Sequence, residues 1–225
     1  MQSLTRQAIQ GLTFLLAVMA VCLMVSAGTL DYWQAWMFLA VFGGCTLAIT
    51  LYLMRYDPAL LERRVNAGPG AEQQRTQQVI QGVASLAFIS ILIVPGLDRR
   101  YGWSQVPVPA TWLADVFVVM GFVIVFRVFR ANSFTSATIE VAAEQRVITS
   151  GPYGIVRHPM YAGAFILIVA MPVALASWVA EIPSVLLILA IVVRLLDEER
   201  FLTGHLAGYA EYRQQVRYRL VPGVW

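Results

Sequence analysis

Residues 151–163 read GPYGIVRHPMYAG and run directly into a strongly apolar segment that continues to residue 196. The stretch combines turn-forming glycine and proline with a cation, an imidazole and two tyrosines. Arginine and histidine are costly close to hydrocarbon and are retained there when they pair with another group. An acidic pair, Glu198-Glu199, follows the apolar segment. The pattern therefore predicts a membrane-embedded fold with a ligand site at the membrane surface.

The composition places the whole chain in a membrane. Of the 225 residues, 59% are hydrophobic and only 13% are charged, which is far more apolar than a soluble domain of this size. The first apolar run, residues 8–27, is too long for the core of a signal peptide and is followed by further runs of the same kind. We therefore interpret it as a retained transmembrane helix.

The apolar runs set the number of spans. Crossing a bilayer takes about 20 apolar residues, and four runs meet that length, at approximately residues 8–27, 34–54, 79–97 and 112–129. The stretch 161–196 is interrupted by Ser177, Glu181 and Pro183, which favours two helices joined by a tight turn. We predict an all-α polytopic membrane helix bundle of about six transmembrane helices that ends in a helical hairpin.

The charges indicate the orientation. All 16 basic residues are arginines, so lysine Schiff-base chemistry is excluded. In a six-span arrangement only Arg99 and Arg100 fall on the side opposite the other loop arginines, which predicts that both termini and the 151–163 loop are cytoplasmic. The arginines are expected to face membrane lipids, and no nucleic-acid partner is expected because no basic segment is long enough to follow a phosphate backbone. Cys22 and Cys45 lack the spacing of a metal site or disulfide framework.

The 151–163 loop has the features of an anion site. Pro159 suits the first turn of a helix, and His158 then lies at or beside the helix cap. The free N–H groups of that turn, together with Arg157, can hold a carboxylate or a phosphate. A second polar element, Arg194 to Arg200, lies at the end of the last predicted span.

In that second element the two carboxylates point in different directions. Arg194 and Glu198 are four residues apart and share a helix face, whereas Glu199 points about 100° away from Glu198. One carboxylate can therefore be structural while the other meets a ligand. Aromatic faces for a cation or an adenine ring are available from Tyr153, Tyr161, Tyr209 and Tyr212. S-adenosylmethionine presents a diol, an ammonium, a sulfonium and an adenine, and is the cofactor that we predict.

Several motifs in residues 98–225 resemble the bacterial members of the isoprenylcysteine carboxyl methyltransferase family, which is related to phosphatidylethanolamine N-methyltransferases. The motifs are DRRYGWS at 98–104, GPY at 151–153, RHPMYAG at 157–163, EE at 198–199, GYAEY at 208–212 and RLVP at 219–222. The combination of RHPxYxG, EE and GYxEY at these distances is more specific than any one of them. We expect one membrane domain, 1–225, with N-terminal spans in 1–97 and a methyltransferase core in 98–225.

The resemblance implies a bacterial inner-membrane methyltransferase that takes S-adenosylmethionine from the cytoplasm and a lipophilic acceptor from the bilayer. A prenylcysteine-like carboxylate or another lipidated molecule is the candidate acceptor. Arg194 and Glu199 are expected to organise the acceptor as catalytic residues. The residues expected to bind the cofactor are Gln145, Tyr153, Arg157, His158, Tyr161, Glu198, Tyr209 and Tyr212. No metal ligand is predicted.

Two other classes of protein remain open on the sequence. Membrane sterol reductases share an element like RHPxYxG and use NADPH, although the EE pair and the short tail favour the methyltransferase. A non-catalytic membrane scaffold or a transporter is the other alternative. Against a transporter, the ionisable residues gather at one face and do not line mid-membrane positions. The oligomeric state and the natural acceptor do not follow from the sequence.

Overall fold

The computed structural model describes residues 2–65, 75–135 and 145–225, and these residues form helices and connecting segments without a β-strand. The prediction of an all-α fold is therefore confirmed for the described part of the chain. Eight α-helices follow one another: α1 Gln2–Ala27, α2 Trp33–Tyr56, α3 Pro58–Val65, α4 Arg75–Tyr101, α5 Val108–Ala131, α6 Pro159–Ala174, α7 Glu181–His205 and α8 Tyr209–Gln215. A short 3-10 turn, Gly151–Gly154, precedes α6.

Four of these helices, α1, α2, α4 and α5, are long and apolar enough to cross a membrane. They coincide with the four predicted spans and indicate an integral membrane protein. The hairpin is also present, because α6 and α7 are separate helices, but the count of six spans is not confirmed. At 16 residues α6 is about 24 Å long, shorter than the hydrocarbon core. The α7 helix is longer but carries charges from Arg194 to Arg200.

Both the start of α1 and the polar elements at 151–163 and 194–200 lie at one end of the bundle. A cluster of buried apolar residues there joins Ala8 of α1, Leu53 of α2, Leu60 of α3 and Phe129 of α5, with Met160 of α6 packed against it. The start of α1 and the start of α6 therefore pack at the same end of the bundle. We call this side the motif end.

The opposite end is held by a buried aspartate. Asp98, at the end of α4, accepts hydrogen bonds from the backbone N–H of Ser104 at 2.7 Å and from the hydroxyl of Ser177 at 2.5 Å. Ser177 lies in the turn between α6 and α7, directly after Ala176, whose φ of 57° is left-handed. The tight turn predicted from Ser177 and Pro183 is thus fastened to α4, which fixes how α6 and α7 approach the rest of the bundle.

The α5 and α6 helices, which carry the two sides of the motif end, make the most extensive helix contact in the described chain. They approach closely because glycines face each other. A Cβ on Gly121 would lie 2.7 Å from Leu167 Cγ and 2.9 Å from the carbonyl oxygen of Gly163, both shorter than van der Waals contact. The small residues therefore set the distance between the helices.

Replacing Gly121 with alanine is expected to force α5 and α6 apart and to destabilise the protein by about 1–3 kcal/mol, the usual cost of overpacking. Thermal unfolding of the detergent-purified chain measures the effect. Gly44→Ala in α2 is the matched control, because a Cβ there meets no atom within 4 Å. It should be neutral or slightly stabilising, since alanine has the higher helix propensity. Equal stability of the two variants would contradict the close packing.

Candidate ligand pocket at the motif end

A cavity of about 500 Å³ opens at the motif end between α3, α5, α6, α7 and α8. This volume lies in the usual range for a small-molecule site. Nine of the ten residues predicted from the sequence line it: Gln145, Tyr153, Arg157, His158, Tyr161, Arg194, Glu198, Tyr209 and Tyr212. The tenth, Glu199, does not. These nine residues therefore lie together around one cavity, and their individual roles stay predictions.

One part of the cavity wall is polar and incompletely paired. The Tyr161 hydroxyl donates to Glu198 Oε2 at 2.5 Å. The Nε2 atom of buried His158 and the hydroxyl of buried Tyr209 find no hydrogen-bond partner among the described residues. Burial, and then the charges of Glu199 and Glu198, raise the pKa of Tyr209, so its phenol stays neutral and available as a donor. Buried polar groups without a partner are costly, and a ligand is one way to satisfy them.

The other part of the cavity wall is apolar and comes from the helices of the bundle. It consists of Phe122 and Val125 of α5, Ala164 and Leu167 of α6 and Ile191 of α7. The α5 residues belong to a helix long and apolar enough to span a membrane. The cavity therefore joins a polar region at the motif end to a hydrophobic region between the spans.

Glu199 is the centre of a buried ion cluster behind this cavity. Its side chain is 4% exposed and accepts from Arg157 Nε at 2.7 Å and from Arg219 Nε at 2.8 Å. Arg213 Nε and His158 Nε2 each lie 3.8 Å from its Oε1 atom. Burial by itself would raise the pKa of Glu199, but His158 and the guanidinium groups of Arg219 and Arg157 outweigh it and hold that pKa well below its usual range. Glu199 is therefore a carboxylate at neutral pH.

Arg157 connects this ion cluster to the C-terminal segment. Its Nη1 atom donates to the carbonyl oxygens of Val216 and Arg217 at 2.8 and 2.6 Å. The backbone N–H groups of Arg157 and His158 donate to the carbonyls of Tyr218 and Arg219, each at 2.9 Å. The Arg157 guanidinium, which the sequence offered to an anion, thus helps these two backbone donors to hold the C-terminal segment against the motif. The geometry gives Arg157 a structural task, although its side chain also reaches the cavity wall.

Arg194 is oriented by a residue that the sequence reasoning missed. Gln77 of α4 is fully buried, accepts from Arg194 Nη1 at 2.8 Å and donates to Asp197. Gln77 therefore links α4 to the polar end of α7. Its only signal in the sequence was its position two residues before a predicted span.

Arg64 of α3 is the second residue that was missed, because the sequence showed it only as one of the loop arginines. It lines the cavity and its guanidinium lies 5.3 Å from the centre of the Phe129 ring. Burial is the main cause that lowers the pKa of Arg64, and the nearby charge of Arg194 lowers it further. Two arginines, Arg64 and Arg194, therefore line the cavity together with Tyr161.

The tyrosines of the 3-10 turn and of α8 close the cavity. The Tyr212 hydroxyl donates to the carbonyl oxygen of Tyr153 at 2.7 Å, and the Tyr153 hydroxyl accepts from Asn132 at 3.1 Å. Asn132 also accepts from the N–H of Phe134 at 2.9 Å, as a residue in a turn after a helix commonly does. Burial raises the pKa of Tyr153 to about 12. A direct hydrogen bond therefore joins α8 to the 151–163 loop, and a second joins the end of α5 to it.

The fold and the cavity together define a helical membrane protein with a partly polar, partly apolar ligand pocket at one end of its bundle. The model of the phospholipid methyltransferase family matches residues 109–207, just under half of the chain. The matched segment runs from α5 to the end of α7 and includes His158, Tyr161, Glu198 and Glu199. The relationship to phospholipid methyltransferases is therefore confirmed for this segment and indicates a membrane enzyme of the methyltransferase type. No curated protein matches the chain.

Proposed function

We propose that the protein transfers a methyl group from S-adenosylmethionine to a lipophilic acceptor that enters the cavity from the membrane. The observation that carries the proposal is the cavity itself. It joins unpaired polar groups at the motif end to an apolar wall between the spans, within the segment that matches the phospholipid methyltransferase model. A polar cofactor and an apolar acceptor can thus meet in one pocket.

The polar residues fit the cofactor. The carboxylate of Glu198 suits an ammonium or a ribose diol, and the unpaired Nε2 of His158 and hydroxyl of Tyr209 can each make one further hydrogen bond. The rings of Tyr153, Tyr209 and Tyr212 offer faces for an adenine or a sulfonium. S-adenosylmethionine supplies an electrophilic methyl group on a sulfonium centre. In this assignment the protein contributes mainly alignment and the exclusion of water.

The apolar wall and the two arginines fit the acceptor. Phe122, Leu167 and Ile191 can bind a hydrocarbon chain, while Arg64 and Arg194 can attract an anionic head such as a carboxylate or a phosphate. A carboxylate acceptor of the prenylcysteine type needs no general base. An amine or thiol acceptor must lose a proton, and Glu198 is the carboxylate on the cavity wall that can accept it. The Glu199 carboxylate is paired with arginines. In this scheme it acts by positioning Arg157 and His158.

The proposal is tested by calorimetric titration of the detergent-purified full chain with S-adenosylmethionine and, separately, with NADPH. We expect saturable binding of S-adenosylmethionine alone. His158→Ala should weaken that binding roughly tenfold or more, because a hydrogen bond in a buried site is lost. His205→Ala is the matched control: it removes the only other histidine, which is exposed and bonded to the carbonyl of Phe201.

The other outcomes would contradict either the proposed class of protein or the location of the site. Binding of NADPH without S-adenosylmethionine would overturn the methyltransferase proposal in favour of a membrane reductase. Binding of neither would favour a scaffold. An equal loss of S-adenosylmethionine affinity in the His158 and His205 variants would contradict the location of the site.

A further inference from the structure

A second concavity, of about 690 Å³, lies on the other side of the 151–163 loop. It shares only Pro159 with the ligand pocket. We call it the outer groove. Its apolar walls come from the end of α5, the 151–163 loop and the C-terminal segment, and include Ile124, Pro152, Ile155, Val156, Leu220 and Pro222. The groove therefore touches three parts of the chain that also hold the motif in place.

Two arginines flank the outer groove. Arg127 and Arg130 are three residues apart on α5, so their side chains lie on neighbouring positions of one helix face. Both are exposed, and within the described residues neither forms a hydrogen bond or ion pair. None of the described residues that line the groove carries a carboxylate. In the part of the chain that the structure describes, two cations without a partner therefore lie beside an apolar surface.

The level of the groove relative to the membrane follows from α5. Arg127 and Arg130 lie in the last turn and a half of a helix long and apolar enough to cross a membrane. Arginines at the end of a span reach with their charged heads to the phosphate level. Ile155, which lines the groove together with the arginines, is 61% exposed, and Val221, between the groove residues Leu220 and Pro222, is 50% exposed. Exposed apolar side chains at this level of the membrane are expected to contact acyl chains.

We propose that the outer groove binds an anionic phospholipid of the surrounding bilayer. The phosphate lies between Arg127 and Arg130, which pair well with phosphate oxygens. One acyl chain lies along Ile124, Ile155 and Leu220. The bound lipid joins α5, the 151–163 loop and the C-terminal segment, and so stabilises the arrangement that positions Arg157 and His158. This site is separate from the pocket and does not rest on the proposed function.

The test is thermal unfolding of the detergent-purified full chain titrated with phosphatidylglycerol or phosphatidylcholine. Phosphatidylglycerol is expected to raise the melting temperature more strongly, because the site selects a negative headgroup. The double variant Arg127→Gln/Arg130→Gln should require a roughly tenfold or greater concentration of phosphatidylglycerol for the same stabilisation. Both side chains are exposed, so the variant is expected to fold, which its unfolding curve without lipid verifies.

The matched control is Arg6→Gln/Arg55→Gln, which removes two exposed arginines from the motif end outside the groove. It should respond to phosphatidylglycerol like the wild-type chain. An equal loss of response in both double variants would show diffuse attraction only and overturn the proposal. So would an unchanged response of the Arg127/Arg130 variant. Glycerol phosphate is the headgroup probe: stabilisation as strong as that by the lipid would assign the groove to a free phosphate ester.

Discussion

Replacing Glu199 with alanine is expected to lower the stability of the protein by about 3–5 kcal/mol, the cost of leaving a buried ion pair with one partner. Arg157, whose side chain is 6% exposed, would lose its carboxylate while remaining buried. Arg219 would lose the same partner, and with it an ion pair that helps to hold the C-terminal segment against the motif. The melting temperature in detergent is expected to fall by roughly 10 °C.

Glu211→Ala is the matched control for this loss, because Glu211 is an exposed acid of α8 at the same end of the bundle. It removes the same charge and should change stability by about 0.5 kcal/mol or less. A similar effect of the two substitutions would contradict the role of the buried ion cluster. The destabilised Glu199→Ala variant should also be tested for S-adenosylmethionine binding at low temperature. If it still binds the cofactor, Glu199 has a structural role and does not contact the cofactor directly.

The pH dependence of this stabilisation has a defined sign. The pKa of Glu199 is lower in the folded chain than in the unfolded chain, so its contribution is complete above the ordinary glutamate pKa. The contribution is lost as the pH falls through the lowered pKa of the folded state. The difference in stability between the wild-type chain and Glu199→Gln should therefore be constant near neutral pH and shrink progressively as the pH falls below the ordinary glutamate pKa. Unfolding curves measured across pH would show this.

Glu198→Gln and Arg194→Gln are expected to affect different halves of the proposed reaction. Glu198 lies on the cavity wall and accepts from Tyr161, so loss of its charge should weaken S-adenosylmethionine binding roughly tenfold or more. Arg194 is held by Gln77 and lies near Arg64, so its loss should raise the KM for an anionic lipophilic acceptor by a similar factor. Calorimetry with the cofactor and initial rates with a prenylcysteine-like acid measure the two effects.

A control for indirect effects is Tyr161→Phe, which removes the hydroxyl that bonds to Glu198 but leaves its charge. It should weaken cofactor binding less than Glu198→Gln does. If Arg194→Gln weakened cofactor binding and left the acceptor KM unchanged, the assignment of Arg194 to the acceptor would be wrong. If neither variant changed either quantity, the cavity would not be the reaction site.

Much of the architecture could be predicted because membrane solvation imposes simple rules on sequence. Twenty consecutive apolar residues suffice to identify a span, and the four runs predicted in this way coincide with α1, α2, α4 and α5. The interruption at Ser177 and Pro183 correctly predicted the turn between α6 and α7. The total number of spans was harder to predict than the first four. The α6 helix is short, and the charges of α7 belong to the pocket and the ion cluster as well as to the membrane boundary.

The candidate site was predictable as a set of residues but not as a set of roles. The RHPMY part of the RHPxYxG motif and Glu198 line the cavity, and Glu199 lies behind it; polar side chains near hydrocarbon are retained where they have partners. Helix geometry also showed that Glu198 and Glu199 point in different directions. It did not show which one would be buried among arginines, because Arg213 and Arg219 come from a part of the chain whose path depends on the whole fold.

The order of residues was enough to predict an all-helical membrane protein with polar elements at the ends of its apolar spans, because spans and surface motifs are local properties of consecutive residues. The pairing of Glu199 with Arg157 and Arg219, the contact of Gln77 with Arg194 and the position of Arg64 at the cavity follow only from the packing of the whole chain. These contacts join residues from separate helices and loops. Their energies depend on burial and distance in three dimensions, which no local pattern along the chain encodes.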